Sequence, residues 1–499
     1  MCCGLVVHGF ALMNVLHNYD DILQHPKGYG AGIESGRWLL HILGDFFQNV
    51  MELGYNLSLV NGIFYIFLIA VSAGFLVNLL GIRSKVRAAL IGALMVSFPA
   101  VTATMVFRFT APYYGLSLFL AVLAVWVAFR CKWGMVLSVL CIAASMGIYQ
   151  AYVPVSIALF LMVLMRESLK EDARLKDLIL RGVACCVCLG LGVGLYLLCS
   201  KLALNYYPFV YQRSFNEYQG IDTMGQIPLN LLPWLIKKAW LSGVLFPLQN
   251  YCDLVDARVL KIAWLLLLAV TAVFVCILVY ERRKLPLNCA FFVLMLLFFP
   301  LAVNFVVVMA PEGIIYTIMV YGFVLMGCLP LLLAEYLPQS AKQDLLTRGA
   351  AILAAVVIFY NGYHANMNYT RLYYANEQIK NYFTGMTAQI RMTEGYTPDK
   401  AWAVVGDRIE DPNMWNIWNA GPVYGGFVGN NAKELMNVSY SVRMWFDLYL
   451  GYGVNTASPE EVDTLKDDPQ VQQMPCWPSQ GSIKIVDDYV VIKLQDTTE

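Results

Sequence analysis

The feature that most constrains this chain is a succession of apolar runs, many of them about as long as a membrane is thick. A helix rises about 1.5 Å per residue, so crossing the hydrocarbon layer takes about 20 mainly apolar residues. Such runs fall at roughly 1–17, 57–80, 88–107, 113–130, 133–149, 151–166, 181–200, 258–280, 286–309, 314–335 and 349–363. Backbone amides find no water in lipid, so these runs must satisfy themselves as helices. The shorter ones are expected to end within the membrane plane around a cavity. Composition agrees: 59% of the 499 residues are hydrophobic and 14% charged, against about 25% charged in a soluble domain. The expected fold is an all-α polytopic membrane protein of about 11 transmembrane helices. A formal net charge of zero argues against nucleic acid as a partner.

Loop charges orient the helices, because short inner loops collect Lys and Arg. If the first helix runs outward, the inner loops hold Arg83, Lys85 and Arg87, then Arg130 and Lys132, then Arg166, Lys170, Arg174, Lys176 and Arg181. Arg282, Arg283, Lys284, Lys342 and Arg348 follow on the same side. The outer segments are poorer, with Lys27, Arg37, Arg108, Lys201, Arg213, Lys237 and Lys238. This puts Asn18-Tyr19-Asp20-Asp21 outside, at the start of a first external loop spanning 18–55. In that loop Trp38, Leu39, Ile42, Leu43, Phe46, Phe47, Val50 and Met51 form an apolar stripe. Arg37, His41, Asp45, Gln48, Asn49 and Glu52 oppose it, and Ser35 reads as the N-cap of a helix lying in the interface. A second external segment, 201–257, is interrupted by Pro208, Pro228, Pro233 and Pro247, so re-entrant or interfacial helices are expected there.

After His364 the composition turns polar, which divides the chain into a transmembrane module, 1–364, and a small external α/β domain, 365–499. Ile379, Phe383, Met386 and Ile390 make a helix face, Trp402 to Gly406 reads as a strand, and Ser439 to Leu450 as a helix. Ser482 to Leu494 reads as a hairpin turning at Asp487-Asp488.

Ionisable groups at a membrane edge are expensive and usually have a function. Asp20 and Asp21 admit two readings on spacing alone: a polar pair that ends the first helix, or a general base whose neighbour raises its pKa or helps hold a metal. A divalent cation on Asp20 and Asp21 stays open, without a complete oxygen shell in view. Tyr149 and Gln150 fall where two helices meet with almost no loop, either packing a tight hairpin or lining a cavity. Glu312 sits at a tight turn, where capping the next helix is the simpler role. Trp415, Trp418 and Tyr424 offer aromatic faces for core packing or for stacking on a glycan. The five His and thirteen Cys show no zinc-type spacing. Cys185, Cys186 and Cys188 read as small lipid-compatible residues, and Cys252 and Cys476 are the cysteines placed outside.

The opening Asn18-Tyr-Asp-Asp21 followed by Ser35-Gly-Arg-Trp38 resembles that of the type II glucosyl transferase family of membrane proteins. Ser145-Met-Gly-Ile-Tyr-Gln-Ala-Tyr152 is similar to that family's second recurring motif, and Met474-Pro-Cys-Trp-Pro-Ser-Gln-Gly-Ser-Ile-Lys484 to its C-terminal segment. The resemblance spans essentially the whole chain. It implies a GT-C-like inverting glycosyltransferase of a bacterial plasma membrane, with its active site facing outside. The donor would be a polyprenyl-phosphate sugar, glucose in this family, and the acceptor a cell-surface glycan such as O-antigen. A donor-synthesising glycosyltransferase and a flippase would be its partners. Asp20 or Asp21 would be the base. The phosphate leaving group needs outward cations, for which Arg37 and Arg108 come first and Arg213 and Lys237 next. Arg37 has an alternative in pairing with Glu34 or Asp45, and Arg108 in snorkelling to headgroups. Glu34, Tyr149, Gln150 and Glu312 are held as substrate-side candidates. A transporter or flippase of lipid-linked glycans, or a glycan polymerase, is the competing class; repeated halves with midplane charges would mark the transporter, and outer-loop Arg pairs the polymerase.

Overall fold

The computed structural model describes residues 1–207, 214–215, 230–406, 409, 444–451 and 453–496. Arg213, Pro208, Pro228, Trp415, Trp418, Tyr424 and the first residues of the helix expected from Ser439 lie outside these. The described chain is mostly helical and forms two contact units: residues of Met1–Met13 and Pro26–Asn366 in the first, and of Asn14–His25 and the described residues after Asn366 in the second.

The first unit carries α1 (Cys2–Met13), α3 (Trp38–Asp45), α4 (Ser58–Leu80), α5 (Lys85–Ser97), α6 (Pro99–Met105), α7 (Ala111–Arg130), α8 (Gly134–Ile148), α9 (Val153–Ser168), α10 (Leu175–Tyr206), α11 (Leu232–Gln249), α12 (Arg258–Glu281), α13 (Pro286–Val303), α14 (Val306–Met309) and α15 (Val324–Leu333). Helix α16 (Ala341–Met392) has residues in both units. Among the described residues seven helices are long and apolar enough to span a membrane, and eight if α5 and α6 count as one span bent by 44°. The bend has a local cause: Pro99 cannot continue the α5 hydrogen-bond ladder, and Phe98 before it is driven to an extended ψ of 141°. The expected count of 11 is not reached. The runs at 1–17, 133–149 and 314–335 give only the shorter apolar helices Cys2–Met13, Gly134–Ile148 and Tyr321–Leu333. Polar or aromatic residues with backbone breaks, such as Tyr149 at φ −154°, stop them early.

Helices α4, α7, α8, α9, α10 and α13 pack side by side. In α10 only 22% of the apolar window is buried in the protein, leaving Val187, Leu191 and Leu198 outward, as lipid contact requires. The basic loops expected inside are tied together by ion pairs. Glu335 accepts from Arg87 Nε at 2.9 Å; Glu167 takes Lys170 at 2.7 Å and Arg181 at 3.1 Å, with Arg166 closer still; Arg282 reaches Glu171 at 3.0 Å.

In the second unit α2 (Tyr19–Leu23) is a single short helix, and α16 buries Leu372, Ile379, Phe383, Met386 and Ile390 along one face. Strand β1 (Ala401–Val405) pairs parallel with β3 (Tyr489–Lys493), and β2 (Ile483–Val486) pairs antiparallel with it in the order β1-β3-β2. The hairpin turns at Asp487 with φ 51°. Helices α17 (Pro459–Lys466) and α18 (Pro469–Gln472) cover the sheet through Leu465, Val471 and Met474.

Candidate active site

In the first unit the two motif segments at 35–38 and 145–152 lie against each other. The chain enters through a 3-10 turn, Ile33–Ser35, that Gly36 ends at φ 69°. Helix α3 then starts at Trp38 with Arg37 as N-cap, so Ser35 does not cap it as expected. The left-handed Gly36 separates Ser35 from the helix, and the Ser35 carbonyl instead accepts from Gln150 Nε2 at 2.8 Å. The same amide nitrogen donates to the Tyr196 hydroxyl at 3.0 Å. Both partners crowd Gly36: a Cβ there would meet the Tyr196 hydroxyl and lie 2.7 Å from Gln150 Nε2. Glycine is required by the backbone and by the neighbours alike. Trp38 lies flat on Gly147, where a Cβ would stand 2.6 Å from its indole.

This docking aims Arg37. Its guanidinium carbon sits 5.2 Å from the Tyr149 ring centroid and 5.9 Å from that of Tyr114. Those two rings stack at 4.0 Å and 12°. Arg37 is half-buried, its Nε is enclosed without a hydrogen-bond partner, and no carboxylate among the described residues reaches it. The expected alternative of pairing with Glu34 or Asp45 is not realised: Glu34 is exposed in the 3-10 turn, and Asp45 accepts from Asn49 at 2.6 Å. Arg108, the companion candidate, is only 2% exposed, donates to Ser58, and so does not snorkel. Of their expected roles Tyr149 and Gln150 show the packing one: both are buried at the α8–α9 junction, beside Arg37 and the 33–38 turn.

Further along, α3 widens into a π turn, Phe46–Val50, instead of running as one regular helix to residue 52. Ile42, Phe46, Val50 and Met51 remain exposed on its apolar side. His41 accepts from or donates to the Tyr29 hydroxyl at 2.6 Å. Burial pushes His41 below the usual imidazole value, with Asp45 opposing.

Segment 201–257 contributes a cavity of about 390 Å³ lined by Trp234, Lys237, Lys238, Leu241, Ser242, Gln249 and Tyr251. Lys238 Nζ lies 5.1 Å from the Trp234 ring centroid. Glu312 is exposed in a bend and caps no helix, because the chain stays irregular until the 3-10 turn Thr317–Met319. Cys252 and Cys476 are free thiols.

In the second unit the two aspartates differ. Asp21 is fully buried; its N–H is capped by Asn18 Oδ1 at 2.7 Å and its carboxylate meets His17 Nδ1 at 2.7 Å. Asp20, one residue earlier on α2, is half-exposed. The His17 backbone is clasped by Asn376, whose Oδ1 accepts from its N–H at 2.7 Å and whose Nδ2 donates to its carbonyl at 2.9 Å. His25 meets the His17 ring edge-on at 4.7 Å. The expectation of no metal-type histidine spacing is therefore corrected: His17, Asp21 and His25 converge, with one ligand atom from each within 4.8 Å of the others. The sequence signal was two successive four-residue steps, but only Asp21 lies on α2, and the chain on either side of it brings the histidines together.

A family model described as Glucosyl transferase GtrII matches residues 9–327. No curated protein and no solved structure matches the chain.

Proposed function

The chain belongs to the glucosyl transferase GtrII family, and from that premise we propose that it moves a glucosyl residue from a polyprenyl-phosphate donor to a cell-surface glycan. The reading places the reaction at the outer face of a bacterial plasma membrane, with inversion at the sugar. Asp20 takes the proton from an acceptor hydroxyl. The freed oxygen attacks the anomeric carbon, the bond from that carbon to the phosphate oxygen breaks, and its electron pair stays on the phosphate. Asp20 is the base in this scheme because it is the solvent-reached member of the pair, whereas Asp21 is buried against His17.

The observation that carries the proposal is Arg37, a guanidinium over the Tyr149 ring with a buried nitrogen that no acceptor among the described residues satisfies. An arginine held in that state is suited to a phosphate that gathers charge as the glycosidic bond breaks. Lys237 and Lys238 beside the apolar wall of Trp234 and Leu241 suit an isoprenoid phosphate in the same way. Donor synthesis and delivery would fall to a separate glycosyltransferase and a flippase.

The test supplies membranes containing the protein with radiolabelled polyprenyl-phosphate glucose and isolated cell-surface glycan. Wild type should label the glycan, while Asp20→Asn and Arg37→Ala should lose most of that activity. An unlabelled acceptor in wild-type membranes refutes the donor and acceptor assignment, and full activity of Asp20→Asn refutes the base.

A further inference from the structure

We propose that His17, Asp21 and His25 form a binding site for a divalent transition-metal ion of the zinc class. One ligand atom from each residue lies within 4.8 Å of the other two. Bond lengths near 2.0–2.2 Å put the ligands of a tetrahedral or octahedral ion about 3–4 Å apart, so side-chain movements of about 1–2 Å close the widest gap. Two imidazoles and one carboxylate exclude the hard cations: calcium and magnesium take oxygen shells, whereas this donor set suits zinc and its neighbours.

The ligands are held before any ion arrives. His17 precedes α2 in extended chain and is fixed at both backbone polar groups by Asn376. Asp21 sits in the first turn of α2, fixed by the Asn18 cap. His25 follows two residues after the helix ends, with its ring edge against His17. Around them Trp445 and Tyr449 face the His17 ring at 5.9 and 5.6 Å and stack on each other at 5.2 Å, which lowers the local dielectric. Asp21 is wholly out of water and held against His17 Nδ1 at 2.7 Å. A dication would take one ligand atom from each of the three residues. His17 and Asp21 are buried and His25 is half-exposed. Such an ion would remove Asp21 from the competition for an acceptor proton. Metal binding itself does not depend on the transferase reading.

The experiment uses the full-length protein in detergent, stripped with a chelator and passed into chelator-free buffer. Zinc is titrated against a chromophoric competitor, and cobalt is titrated with the visible spectrum recorded. One tightly held equivalent is expected, with cobalt d–d bands and no thiolate charge-transfer band, since the thirteen free cysteines are the competing ligands. His17→Gln, Asp21→Asn and His25→Gln should each weaken binding by about tenfold or more. His41→Gln, at a histidine outside the group, should leave it unchanged. The proposal is overturned if wild type holds no equivalent, if the cobalt spectrum is that of a cysteine site, or if none of the three variants changes affinity. If the variants fail to fold, the wild-type stoichiometry and cobalt spectrum decide alone. Failure of glucosyl transfer with metal bound would refute the transferase scheme and leave this site standing.

Discussion

Replacing Gly36 by alanine tests whether the contact between the 33–38 turn and the α8–α9 junction is specific. Gly36 has φ 69°, where an L-residue costs about 1 kcal/mol or more. The added methyl would also stand 2.7 Å from Gln150 Nε2 and closer to the Tyr196 hydroxyl. Relieving that overlap breaks the Gln150 bonds to the Ser35 carbonyl and to Tyr196, at about 0.5–1.5 kcal/mol each. Gly81 supplies the control. It has the same φ of 69° at the end of α4, but a Cβ there would find nothing nearer than Arg166 Nη1 at 3.8 Å. Gly81→Ala therefore carries the backbone cost without the contacts, and the two variants should differ by about 1–3 kcal/mol. Hydrogen exchange read by mass spectrometry reports the local opening of each segment. Gly36→Ala should speed exchange over 33–46 about 5- to 150-fold more than Gly81→Ala speeds it around its own helix end. Equal accelerations would refute the reasoning, because the Gln150 and Tyr196 contacts would then contribute nothing.

Two further expectations follow from single side chains. Arg37→Lys keeps the charge but loses the planar stack on Tyr149, worth about 0.5–2 kcal/mol; glucosyl transfer kinetics in detergent should show kcat/KM down by about 2- to 30-fold, and unchanged kinetics would show that charge alone suffices. Burial works to raise Glu335, but the hydrogen bond from Arg87 and the amides of Ser84 and Arg83 win and hold it below its ordinary value of 4.5. A carboxylate depressed in the fold contributes stability above its unfolded pKa and loses it as pH falls through the folded one. Thermal unfolding of wild type should therefore weaken as pH drops below about 4.5, Glu335→Gln should be less stable at neutral pH and flatter in that range, and parallel curves would contradict the assignment.

Hydrophobic periodicity located helices in every expected apolar run, because lipid leaves the backbone no other way to bond. It did not determine which of them reach spanning length. Tyr149 and Phe98 stop their helices through backbone angles that apolar runs do not encode. Aspartates, arginines and motif tyrosines could be singled out from the sequence as candidate chemistry. Their partners were not: Arg37 was paired on paper with Glu34 or Asp45 by proximity in sequence, whereas its real neighbours come from residues 114 and 149. Tertiary contacts at separations near 100 residues have no local signature. The histidines illustrate the opposite error, since the even four-residue spacing of His17, Asp21 and His25 was visible but carries no weight until a chain turn brings it together.

Asp20 and Asp21 are identical in sequence terms, and a short helix separates their chemistry. Asn18 caps α2 by bonding to the Asp21 amide, which fixes where α2 starts and which side each carboxylate leaves from. Asp21 then faces His17 and is lost to solvent, while Asp20 stays half-exposed. Buried beside an imidazole, Asp21 is better suited to holding a partner than to exchanging protons with an incoming hydroxyl. A general base must reach its substrate, and that is why the proposed scheme assigns the role to Asp20. The pair is thus best understood as one carboxylate that organises the turn and one that the turn presents, and Asn18, the residue that begins the motif, sets the difference between them.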